Sequence, residues 1–426
     1  MIATTAIVQI VLARSLGASS FGFLSATLAV SALVLPLSRC GLAGLVTSNV
    51  LATPGEELRI LATAMAFRLC GALAASALGV AYMLGSGLVE TDRTALIVLL
   101  VLAQVACAAQ VTEFSFQVRS APKPLLRSRL PVTVIAAAIK CLAAIKTSDP
   151  GVVAWVFAAE SAALSLAHFI AIRRLQGVTV RPRLDTHWRR YFAPRVPWLI
   201  ASGLAEALYF RVDLVMLAAL RGSDEAGIYA AATRLSEFWY ALPAVVVVTL
   251  TPRLWGGSHS TRSHRRLSQA MVDGLFWSAV SAAVLTTMVA DQLVSLLFGT
   301  HFREAADVLQ IHIWAGLFVF MRAFASQWLI AEDLLRYSLL SHGFGAVVNV
   351  SLNLVLIPNY GASGAAMSTV VSYAVAGWLA FFFSAKTRPL AKMMARAIFL
   401  PGRFRDLRRY SRWAKDAIRH GGRYWD

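Results

Sequence analysis

The chain is poor in charge. Only 15% of its 426 residues are Asp, Glu, Lys or Arg, against about 25% in an ordinary soluble domain. Cysteine is scarce: Cys40, Cys70, Cys107 and Cys141 are the whole complement. None forms a CxxC pair, which argues against a disulfide scaffold or a thiolate metal site, and they read as small core residues of apolar runs. The eight histidines are scattered, with no pair at metal-ligand helical spacing. Acidic residues number 22 against 40 basic ones, so negative charge is the scarcer sign. There is no GxxxxGK[ST] loop, zincin helix, GxSxG elbow or DxD pair, and no spacing around His301 and Asp307 that matches an acyl-transfer motif. These absences remove Walker-type ATP hydrolysis and the common hydrolase and sugar-nucleotide transferase chemistries. The N-terminus lacks the basic n-region of a signal peptide.

What is present is apolar: 58% hydrophobic residues and a mean hydropathy of +0.64. That composition is a membrane protein's. Stretches near the 20 residues needed to cross a bilayer occur at 2–13, 20–36, 60–84, 94–111, 130–145, 152–172, 198–220, 228–250, 271–298, 305–330, 337–357 and 362–383. The first is too short to cross alone. Either its register continues into Arg14 and Ser15 or the start lies upstream of Met1, and the second is the expectation. With the helices alternating from a cytoplasmic N-terminus, 30 of the 40 Lys and Arg fall in inside segments, five in outside loops and five within spans. This is a strong positive-inside asymmetry. It places both termini in the cytoplasm and assigns the +18 net charge to a membrane surface rather than to nucleic acid.

The longest internal loop is basic and central. It divides the chain into a lobe at 1–172, a linker at 173–197, a second lobe at 198–384 and a basic tail at 385–426. A gapless shift of 205 residues superposes Leu12 on Leu217, Ala13 on Ala218, Gly17 on Gly222, Gly22 on Gly227, Ala26 on Ala231 and Ser31 on Ser236, with Pro36 and Pro243 closing each copy. The expected fold is all-α, about twelve transmembrane helices in two pseudo-symmetric six-helix lobes. In the tail, Phe404, Leu407, Ala414 and Ile418 form an apolar stripe amid arginines, suited to an interfacial helix on anionic lipid.

Nine ionisable residues lie deep in spans: Arg68, Lys140, Arg211, Arg234 and Arg322, with Glu160, Glu206, Asp213 and Glu237. Facing lipid they would cost roughly 25 kcal/mol together, so they must pair, face the bundle interior or line a wet cavity. Arg234 and Glu237 share a helix face at i,i+3, and Glu206 and Asp213 share one at i,i+7. Arg211 points roughly away from Asp213, which leaves Asp213 to a cation from another helix or to the cavity. Snorkelling is the alternative for Lys140. Cations from both lobes lining one central cavity would attract phosphate, for which the arginine fork is suited. The acids would balance charge or carry H⁺ or Na⁺.

Three stretches resemble one family. Arg14-Ser15-Leu16-Gly17-Ala18-Ser19-Ser20-Phe21-Gly22 resembles the turn after that family's first helix. Arg211-Val212-Asp213-Leu214-Val215-Met216-Leu217 with Ala226-Gly227-Ile228-Tyr229-Ala230-Ala231-Ala232-Thr233-Arg234 resembles its helices seven and eight. The stretch from Asn349 and Asn353 through Pro358, Gly361 and Gly364 to Ala366 resembles its "NxxLNxxLIPxxGxxGAA" signature. This is the polysaccharide transporter family, O-antigen and exopolysaccharide repeat-unit flippases of the multidrug/oligosaccharidyl-lipid/polysaccharide exporter superfamily. From the residues alone, Asn349 and Asn353 bond between helices, Pro358 ends helix eleven, and Gly361 and Gly364 permit a tight turn. The resemblance implies a bacterial inner-membrane protein that moves undecaprenyl-diphosphate-linked oligosaccharide by alternating access, without covalent chemistry or cofactor. A monomer suffices, and polymerase or glycosyltransferases are candidate partners. The competing expectations are a drug exporter of the same superfamily and a membrane glycan-modifying enzyme or ligase.

Overall fold

The computed structural model describes residues 2–85, 101–106, 108, 110–119, 122–177, 180–255 and 261–398. Among them every regular element is helical. The helices are α1 (Ile2–Arg39), α2 (Ala43–Ala52), α3 (Glu57–Gly85), α4 (Glu113–Val118), α5 (Pro122–Thr147), α6 (Pro150–Gln176), α7 (Thr186–Phe192), α8 (Val196–Arg221), α9 (Ser223–Trp239), α10 (Ala241–Trp255), α11 (Thr261–Phe298), α12 (Ala305–His312), α13 (Gly316–Ala331), α14 (Leu335–Gly377) and α15 (Arg388–Ile398). Half of the expected fourth span lies outside the described residues. What is described of it is helix at 101–106 and a short 3-10 turn that leads into α4. Cys107, the tail beyond Ile398 and its expected apolar stripe also lie outside.

Long helices follow from composition, because in hydrocarbon every backbone N–H and C=O needs an internal partner. The helices break or bend at particular glycines of positive φ rather than at every glycine or proline, for Pro36 and Pro131 lie within continuous helices. α1 is two helices meeting at Gly17 (φ 75°, ψ 173°), so the first span does continue through Arg14 and Ser15. α8 ends on Gly222 with nearly the same backbone, φ 94° and ψ 177°. These glycines stand 205 residues apart, so the repeat inferred from residue identities is also a repeat of backbone conformation. α14 likewise bends at Gly361 (φ 54°). Pro358 lies inside this helix three residues before the break, where helix eleven had been expected to end. The eighth span is also not continuous: α9 stops at Trp239 and α10 resumes at Ala241, because the ring of Pro243 clashes with the carbonyl four residues before it. The tenth span is interrupted by a 3-10 turn, Ile313–Ala315.

The apolar core has three main parts. One joins α1, α5 and α6 to α8, α9, α11, α12 and α14 near the Gly17 and Gly222 turns. At the opposite end, which carries the 173–197 linker, the cores are separate. One unites α2, α3, α4, α6 and α7, the other α10, α11, α13 and α15. The two lobes are therefore fused at the turn end. The contact there is reciprocal: a Cβ on Gly22 would lie 1.8 Å from the Ser223 carbonyl oxygen, and one on Gly227 would lie 2.0 Å from that of Ala18. Only residues without a side chain permit this backbone approach. At the linker end, α1 and α8 also touch through Pro36 and Gly203. Cys40 is buried and Cys141 half-buried, while Cys70 is exposed on α3, facing outward rather than into the core.

Candidate functional site

The spanning charges are not gathered in one cavity among the described residues. In the first lobe, Lys140 of α5 and Glu160 of α6 form a 2.6 Å ion pair, with side chains only 8% and 15% exposed. The Lys140 ammonium also lies 4.0 Å from the Phe157 ring centre. Lys140 therefore does not snorkel; its partner is in the adjacent helix. Arg68 is buried on α3, with its guanidinium 5.1 Å from the ring centre of Phe114. In the second lobe Arg322 of α13 donates to the hydroxyls of Ser341 (2.7 Å) and Ser338 (2.8 Å) and to the Ala376 carbonyl (3.3 Å). These acceptors belong to α14, and they hold Arg322 inside its own lobe rather than at a shared centre. Glu206 is exposed on α8.

What converges is a cleft within the second lobe, between α8, α9, α12 and the second half of α14. Its cavity volume is about 20 Å³, room for one or two waters. Arg211, Asp213, Tyr229, Arg234, Glu237 and His312 are among its lining residues. Arg211 and Arg234 stand 11 and 12 residues from the Gly222 turn, about 16–18 Å along their helices and hence near mid-membrane. Both reach one carboxylate: Arg211 Nη1 is 3.1 Å from Glu237 Oε1, and Arg234 Nη1 is 3.5 Å from Glu237 Oε2. The i,i+3 spacing supplies one pair, and packing of α8 on α9 supplies the other. Two guanidiniums share one carboxylate, and Asp213 in the same lining supplies the second acidic group. The group remains accessible, with side chains 36%, 28% and 26% exposed for Arg211, Arg234 and Glu237.

Two residues from Arg211, Asp213 is buried. The cation expected from another helix is not its partner. Three neutral donors hold it: Tyr229 Oη at 3.0 Å, Asn353 Nδ2 at 2.7 Å and Thr369 Oγ1 at 2.6 Å. It lines the second-lobe cleft rather than a chamber shared by both lobes. Asn353 Nδ2 also donates to Asn349 Oδ1 (2.9 Å), and Asn349 Nδ2 to Ser372 Oγ (3.1 Å). The two asparagines of the signature thus bond to Asp213 and to the next helix. Asn353 Oδ1 is buried without a hydrogen-bond partner among the described residues, an acceptor beside a carboxylate. His312, at the break between α12 and α13, bonds Ser236 Oγ at 2.7 Å. Sequence reasoning missed Tyr229, Thr369, Ser372 and His312 as site residues. The available signal was polar residues at helical spacing in facing apolar helices: Asn349 with Asn353, and Thr369 with Ser372.

Gly361 and Gly364 have a structural setting. Glu225 of α9 accepts from the Ala362 backbone N–H at 2.8 Å, and its carboxylate lies where a Cβ on Gly361 would be. A Cβ on Gly364 would meet the Leu356 carbonyl oxygen at 2.3 Å.

The fold is that of known membrane transporters. A lipid II flippase MurJ in an inward closed conformation aligns over 93% of this chain and 88% of its own, with a TM-score of 0.72 and 13% identity. An inward-facing multidrug resistance MATE family transporter aligns over 92% of this chain and 96% of its own, with a TM-score of 0.67 and 10% identity. In sequence, a probable lipid II flippase MurJ of Rhizobium meliloti (strain 1021) is 28% identical over 211 residues, which is 47% of this chain and 38% of that relative. The family model described as polysaccharide biosynthesis protein matches residues 11–307. With more than half its length matched, the chain belongs to the polysaccharide biosynthesis protein family.

Proposed function

We propose that this protein moves a lipid-linked, diphosphate-bearing oligosaccharide across the bacterial inner membrane by alternating access, with the linker end facing the cytoplasm. The observation that carries the reading is the mid-membrane Arg211–Glu237–Arg234 group, accessible and with two guanidiniums on one carboxylate. Guanidinium N–H groups not engaged by Glu237 can donate to phosphate oxygens. A diphosphate competes with Glu237 for the same forks, so binding and release need only a swap of acceptors. The saccharide follows the phosphate through the protein while the polyprenyl tail stays in lipid. Asp213, beside the Asn353 Oδ1 acceptor, is the group proposed to take up H⁺ or Na⁺ and bias one conformation over the other. No covalent step is involved, and no cofactor is required.

The test is reconstitution of the full chain in liposomes with a fluorescent undecaprenyl-diphosphate-linked oligosaccharide. Translocation of the intact molecule is expected. Charge-assisted hydrogen bonds contribute about 1.5–3 kcal/mol, so Arg211→Ala should slow transport about 10- to 150-fold while membrane insertion stays normal. A covalently altered saccharide would show an enzyme instead.

A further inference from the structure

The basic linker is not a loose tether. Asp185 caps α7 by accepting from the N–H groups of His187 and Trp188. Trp188 Nε1 donates to Glu56 at 2.7 Å, and the Arg183 N–H donates to the Ala62 carbonyl at 3.2 Å. Trp188 and Phe192 are buried in the first lobe's separate core. After the last span, α15 does the same for the second lobe. Its Leu390, Ala391 and Met394 are buried against α11 and α13, and Gln269 Nε2 donates to the Met393 carbonyl at 3.0 Å. Adding 205 to the bounds of α7 gives 391–397, inside α15. Each lobe thus ends in an equivalent amphipathic helix, and six spans lie between them, so both sit at the same membrane face.

Opposite their buried sides both helices are cationic. Arg189 and Arg190 are exposed on α7, and Arg388, Lys392 and Arg396 form one exposed i,i+4,i+8 row on α15. Each helix has a bulky apolar neighbour largely out of the protein, Trp198 (74% exposed) beside α7 and Phe383 (78%) before α15. Cations in a row next to aromatic side chains at the end of a span match an interface of acyl chain and anionic headgroup. We propose that α7 and α15 are a matched pair of docking surfaces for anionic phospholipid headgroups, one on each lobe. The occupant is the lipid of the surrounding leaflet, and the surface is independent of the cargo.

The experiment places the full chain in nanodiscs of phosphatidylcholine, or of phosphatidylcholine and phosphatidylglycerol in a two-to-one mixture, and follows hydrogen exchange of peptides covering α7 and α15. Exchange should slow in the anionic discs, and the effect should fade in high salt. R189Q/R190Q should abolish it at α7 alone and K392Q/R396Q at α15 alone, each neutralised cation weakening engagement about fivefold. R189K/R190K should retain it, which separates loss of charge from loss of fold. Equal exchange in both lipids would overturn the proposal. So would protection by inorganic pyrophosphate in phosphatidylcholine discs without any response to phosphatidylglycerol, which would assign the surface to a diphosphate instead.

Discussion

Replacing Gly22 and Gly227 by alanine should open the turn end of the molecule. The two glycines face each other across the junction of the lobes, each against the backbone of the other copy. A Cβ on Gly22 would lie 1.8 Å from the Ser223 oxygen, whereas real Cβ contacts essentially never fall below 3.0 Å, so the backbones must part by at least 1.2 Å. The opposing group is a carbonyl within a helix, not the end of a flexible side chain, and local rotation cannot relieve the clash. Overpacking of this kind typically costs about 1–3 kcal/mol, and here the cost falls only on the state in which the turns touch. The equilibrium should shift about 5- to 150-fold toward a conformation with the turns separated. Ser19 and Asp224 are exposed at the two turns, again 205 residues apart. Spin labels at Ser19→Cys and Asp224→Cys, with the native cysteines replaced, should give a longer and broader distance distribution in G22A/G227A than in the parent. An unchanged distribution with unchanged transport would refute the idea that this backbone contact is the seal.

Lys140→Met alone should destabilise the protein by about 3–5 kcal/mol, because it leaves Glu160 buried and unpaired, whereas the double replacement with Glu160→Leu should recover most of that loss; unfolding in a denaturing detergent titration reports both. Glu225→Ala removes the cap on the second half of α14 and should cost about 1 kcal/mol, measured by the same titration. Asp213→Asn should leave binding of the diphosphate headgroup intact and remove the dependence of transport on an imposed ion gradient, read in liposomes with and without that gradient. Arg322→Gln, in contrast, should lower stability without changing headgroup affinity, since Arg322 is held by Ser338, Ser341 and Ala376 within its own lobe.

The spans were legible because hydropathy acts locally, and the duplication because two copies of one glycine-marked turn survive at constant spacing. Within the site, the Arg234–Glu237 pair was legible from helical geometry. Its extension to Arg211 was not, since contact between α8 and α9 depends on how the helices cross. Asp213 shows the limit most clearly. Its charge suggested a basic partner or a wet cavity, yet hydroxyl and amide donors from α9 and both halves of α14 surround it. Arg68 and Arg322 are buried as expected, but burial does not specify which interior, and each is absorbed by its own lobe. Of the helix breaks, the one before Pro243 has a local cause. The 3-10 turn at Ile313–Ala315 contains no proline, and no proline marks it in the sequence.

The most direct measurement compares one saccharide on two carriers in liposomes, an undecaprenyl diphosphate and a phosphate-free undecaprenyl ether, with the parent protein and with R211A/R234A. If guanidiniums at mid-membrane receive the diphosphate, the parent should translocate the diphosphate-linked form far faster than the ether, and the double variant should lose that preference. Equal rates for both carriers in the parent, or a variant that still prefers the diphosphate, would contradict it.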